Sequence, residues 1–102
     1  MDLQELYQKL NEEFPKLRFH RGTLFGLDCV TSDYGRKQFI AVKISDTGEY
    51  RIDHSVLYKL GTYSRVNDYE SLISTIASLV KASNPELLPD TQLSIFHYIK
   101  EN

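Results

Sequence analysis

The sequence is poor in the features that staple small folds together or hold them in membranes. Cys29 is the only cysteine in 102 residues, so no intrachain disulfide can form and a disulfide scaffold is excluded. A single thiol suits a reducing compartment. There is no tryptophan, and only three prolines and five glycines, which excludes collagen-like and low-complexity chains. No apolar run comes near the roughly 20 residues that span a bilayer. The N-terminus is acidic and amphipathic, where a secretory signal needs a basic start and an apolar block. These absences lead to the expectation of a cytoplasmic protein with no membrane association. Charge of one sign is also lacking: 12 Lys and Arg stand against 14 Asp and Glu, a net of -2. A strongly basic nucleic-acid binder is therefore not expected.

Chemical motifs are missing as well. No CxxC, HxH, HxxxH or Asp-rich calcium loop occurs, and neither metal nor cofactor is expected. Gly22 and Gly26 are separated by Thr23, Leu24 and Phe25, which matches no phosphate-binding loop.

What remains is an ordinary globular composition, 41% hydrophobic and 25% charged, with a length that fits one domain over 1–102. The charge is unevenly spread. Residues 1–14 carry -3, residues 15–51 carry +3 and residues 52–102 carry -2.

Periodicity predicts a helix over 2–14, with Leu3, Leu6, Tyr7, Leu10 and Phe14 on one face, Asp2 as N-cap and Pro15 as terminator. Residues 17–54 read as a four-stranded antiparallel meander. Its turns are placed at Arg21-Gly22-Thr23, Tyr34-Gly35 and Asp46-Thr47-Gly48. That choice pairs Phe19 with Phe25, Cys29 with Ile40, and Val42 with Ile52. The inner face becomes Leu17, Phe19, Phe25, Leu27, Cys29, Ile40, Val42, Ile44, Tyr50 and Ile52. Residues 55–66 read either as a short helix or as irregular chain. A helix over 69–81, capped by Asn67 or Asp68, follows, and a last one over 91–100 begins after Pro89. The expected fold class is α+β: an N-terminal helix, the meander, then two or three C-terminal helices packed on the sheet.

In this register Cys29 and His54 share a face beside Ile40, which raises a nucleophilic Cys–His pair as one reading. A lone cysteine on an apolar strand face is more often a small buried hydrophobe, and no catalytic residue is assigned. The outer sheet face is more informative. Leu24, Val30, Phe39 and Ala41 form a modest apolar centre, with Val30 opposite Phe39, and cations surround it. Such a rimmed patch marks an interface. The last helix adds Leu93, Ile95, Phe96, Tyr98 and Ile99, apolar nearly all round, and such a helix needs cover on two sides. Self-association as a homodimer is expected from it.

The sequence thus points to a non-enzymatic protein-binding module, such as an adaptor, assembly factor or inhibitor. Its expected contact residues are Arg18, Leu24, Val30, Phe39 and Arg51, with Tyr34 at a hairpin tip, because aromatics and arginines anchor interfaces. Two alternatives are a weak nucleic-acid binder using Arg18, Arg21, Arg36, Lys37, Lys43 and Arg51, and a small enzyme using Cys29 and His54.

Overall fold

Asp2 and Asp68 each end an extended segment and accept a hydrogen bond from the backbone N–H three residues on, at 2.8 Å from Glu5 and 2.7 Å from Ser71. These N-caps start the two helices, α1 (Leu3–Glu13) and α2 (Tyr69–Ser83). Pro15, which cannot continue α1, opens a single 3-10 turn over Pro15–Leu17. A second such turn, Pro85–Leu87, follows α2. The computed structural model describes residues 1–35, 38–55 and 62–89. The expected last helix over 91–100 lies outside these residues.

Between the helices run β1 (His20–Leu24), β2 (Leu27–Gly35), β3 (Gln38–Ile44), β4 (Tyr50–Ser55) and β5 (Thr62–Val66). They form one antiparallel sheet in sequence order. The class is α+β, as expected, with five strands rather than four. The fifth comes from the segment left open between helix and irregular chain.

The β3–β4 hairpin has the expected register: Ile40 faces His54, Val42 faces Ile52 and Ile44 faces Tyr50. Its loop turns on Gly48, whose φ of +85° is the left-handed geometry glycine tolerates. Alternation in these two strands is unambiguous. Ile40, Val42 and Ile52 are fully buried on the inner face, each stabilising the fold by about 1.5–3 kcal/mol relative to exposure. There they meet Leu6, Leu10 and Phe14 from the first helix segment and Leu72, Ile76, Ala77 and Val80 from α2. Both helices thus cover one face of the sheet.

The first two turns differ from expectation. The β1–β2 turn is Phe25-Gly26, not Arg21-Gly22-Thr23, and Leu24 faces Leu27. Both turn residues have positive φ, 53° and 76°, the arrangement that suits a two-residue hairpin. In β2, Val30 faces Val42 and Ser32 faces Ile40, with a register shift between Ser32 and Gly35. These changes reverse the two faces of β2. Val30, Ser32 and Tyr34 point inward, and Leu27 and Cys29 outward. The physical reason is that β2 has no dominant face. One side offers Leu27, Cys29, Thr31 and Asp33, the other Asp28, Val30, Ser32 and Tyr34. Helix cover is also limited: Asp28, the inner-face residue beside Leu27, is exposed. Turning Leu27 inward would therefore not place it under the helices. The inward Ser32 hydroxyl is satisfied by donating to the Leu17 carbonyl. Gly22, read as a turn residue, lies inside β1, where a Cβ would come within 3.2 Å of the Thr31 methyl.

This register makes opposite predictions for neighbouring positions. Val30→Asp places a charge in the core and should abolish folding or cost several kcal/mol. Leu27→Asp should change stability by less than about 0.5 kcal/mol, as at other exposed sites. Urea denaturation of the two variants checks this, and the reverse order would restore the first register.

Candidate functional site

The reversal of β2 separates two residues that the sequence brought together. Cys29 is buried on the outer face, opposite Gly22, whereas His54 points inward, opposite Ile40 and Thr62. The sheet lies between them, so the Cys–His pair is not formed. Burial pushes the Cys29 thiol up, away from the reactive thiolate; Lys43 opposes that shift, and Asp28 and Asp53 add to it. His54 is buried, and its Nδ1 has no hydrogen-bond partner among the described residues. Burial lowers its pKa below 6.5, with Asp53 acting weakly in the other direction. Among the described residues no group of three His, Cys, Asp or Glu side chains could hold a metal, and no helix is long and apolar enough to cross a membrane.

The other expected contact residues are dispersed. Val30 is fully buried in the core, which corrects its placement on the outer face. Tyr34 is also buried, accepting a 3.5 Å hydrogen bond from Ser83 on α2, and is not an exposed hairpin tip. Arg18 is exposed in a left-handed link with φ of 54° just before β1. It lines a groove of about 580 Å3 with Lys16 and His20. Leu24 and Phe39 do lie on the outer face, where they line a shallow groove of about 370 Å3 beside Cys29. Arg51 is there too, half-buried.

What the structure assembles instead is a band across the outer face, from the β1–β2 turn to β5. Phe25 is 81% exposed, Leu27 60% and Tyr63 50%. Beside them lie three cations on three adjacent strands. Lys43 faces Arg51 across β3 and β4, and Arg51 faces Arg65 across β4 and β5. One carboxylate, Asp53, serves the first two. It is 3.7 Å from Lys43 Nζ and 3.1 Å from Arg51 Nε, and it also accepts from the Arg51 NH2 group at 3.2 Å. Asp53 is itself buried, and a buried carboxylate needs such pairing.

The cations also lie against the aromatic rings, which stay largely exposed. The Arg51 guanidinium lies 4.2 Å from the Tyr63 ring centre, Arg65 lies 5.8 Å from it, and Lys43 is 5.3 Å from the Phe25 ring centre. Directly opposed like charges destabilise a sheet, by about 0.5 kcal/mol per pair on the scale of cross-strand interactions. The row Lys43–Arg51–Arg65 contains two such pairs. A groove of about 410 Å3 runs along it, bordered by Leu27 and, at the β3–β4 loop, by Asp46 and Glu49.

Sequence reading missed Phe25, Leu27, Tyr63 and Arg65. Thr62, Tyr63 and Val66 carry the β-branched and aromatic signal of a strand, and a strand there would have aligned Arg65 with Arg51. Comparison with protein-family models, curated proteins and solved structures returned no match to this chain.

Two solution measurements follow from these burials. The unfolded chain binds the His54 proton near pH 6.5 and the folded chain only below that value, so acid favours unfolding. The melting temperature should be flat above about pH 7 and fall as pH drops through 6.5. His54→Gln should remove that component; an unchanged profile would assign it elsewhere. Cys29 should react with a thiol reagent only on denaturation, and rapid labelling of the native protein would contradict its burial.

Proposed function

We propose that this chain is a binding module that engages another protein through the outer sheet face at the β1–β2 turn. One observation carries this reading. Apart from Met1, the exposed large hydrophobic side chains among the described residues are Phe25 and Leu27 at the β1–β2 turn and Tyr63 on β5, and Leu27 and Tyr63 share the outer face. Clustered apolar side chains rimmed by charge mark interaction surfaces.

The backbone at Phe25 adds independent support. The left-handed region costs an ordinary L-residue about 1–2 kcal/mol, and Asn or Gly would fill the position with less strain. Folding gains little from a bulky ring that is mostly in water, so the residue is better explained by what it contacts. Arg51 remains part of this surface, as expected from the sequence; Val30 and Tyr34 leave it, and Phe25, Leu27, Tyr63 and Arg65 join it.

The nucleic-acid alternative has less support. Single strands bind on aromatic rings set along a basic groove, whereas the groove beside the cations also carries Asp46 and Glu49, and Phe25 and Tyr63 do not line it. The homodimer expected from the last helix rests on residues outside those described.

In-cell cross-linking followed by capture should recover a partner with the wild-type chain. The Phe25→Asp/Leu27→Asp variant should lose it while keeping its melting temperature. Glu12→Ala, on an exposed position of α1 across the molecule, should retain it. Undiminished capture by the double variant would overturn the assignment.

A further inference from the structure

We infer that the row Lys43–Arg51–Arg65 receives an acidic, extended segment of the protein partner, so the surface proposed above reads carboxylates as well as apolar side chains. This rests on that proposal and specifies its chemistry.

The observation is a charge arrangement that the sheet alone does not need. Three cations occupy directly opposed positions on β3, β4 and β5. Asp53 pairs with Lys43 and Arg51. Arg65 is exposed and has no carboxylate partner among the described residues. The row is therefore left with a net positive charge beside a groove.

Neighbouring strands are about 4.8 Å apart, so the backbone positions of the row span roughly 10 Å. An extended peptide presents alternate side chains on one face about 7 Å apart. Carboxylates at such alternate positions meet exposed Arg65 and half-buried Arg51, while Lys43, itself buried against Asp53, adds positive charge behind them rather than a contact. Flanking apolar side chains on the same face of the peptide can reach Leu27 and Phe25, both exposed. A phosphodiester chain would use the cations but has no counterpart for Leu27. Asp46 and Glu49 at the loop end of the groove repel an acidic ligand there and limit how far it extends.

The test uses fluorescence anisotropy of a short labelled peptide that carries two Glu and then two Leu at alternate positions with Ser between them, so that both types share one face, with labelled oligothymidylate as the second probe. The peptide should bind at low salt and weaken as salt rises. Arg65→Glu should weaken it about tenfold or more, mainly through slower association. Arg65→Ser should leave the melting temperature unchanged or raise it, because it removes an opposed like charge. Absence of peptide binding, equal binding by Arg65→Glu, or tighter binding of oligothymidylate would each overturn the inference. So would a clear loss of thermal stability in Arg65→Ser, which would make the row a structural device. If peptide binding fails while Phe25→Asp/Leu27→Asp still abolishes partner capture, the docking surface stands and its acidic ligand does not.

Discussion

The central hairpin of β3 and β4 is the constraint from which the rest of this structure follows. Its inner face carries Ile40, Val42, Ile44, Tyr50 and Ile52, and its outer face carries Lys43, Arg51 and Asp53. No other register keeps all the apolar residues beneath the helices and the charges away from them. Because α1 and α2 both close over the inner face, every strand that joins the hairpin must choose which of its own faces enters that layer. Val30 and Tyr34 of β2 enter it, and Leu27 and Cys29 do not.

The same constraint shapes the polar side. Asp53 is buried near the middle of the sheet, so it must be neutralised, and Lys43 and Arg51 are the neighbours within reach. Those cations are then already committed when β5 adds Arg65 beside them. The resulting imbalance sits next to Phe25, Leu27 and Tyr63. Stability alone gives little reason for a surface that combines excess positive charge with exposed large side chains. On the inner side, His54 shows the complementary compromise: it is buried, but its Nδ1 finds no hydrogen-bond partner among the described residues.

The legibility of these features in the sequence varied with local pattern. In α1 and α2 the apolar spacing and the Asp2 and Asp68 caps agree, and both helices lie within a residue or two of where periodicity puts them. In β3 and β4 one face is plainly apolar, so register could be read directly. In β2 the two faces are nearly balanced, and the error there carried Val30, Cys29 and Leu27 to the wrong sides together. The Phe25-Gly26 turn was hidden because a bulky residue at positive φ is an uncommon choice. Thr62, Tyr63 and Val66 signal a strand only weakly, and without β5 the cation row is invisible.

The sequence by itself therefore determined the α+β class, the two helices, the β3–β4 register and the presence of Arg51, Asp53 and Lys43 on one face. These follow from local periodicity, capping and turn chemistry, which act over a few residues. Only the tertiary structure decided the faces of β2, the separation of Cys29 from His54, and the alignment of Lys43, Arg51 and Arg65. Those outcomes depend on how much of the sheet the two helices cover and on pairing between distant segments, neither of which is encoded at any single position.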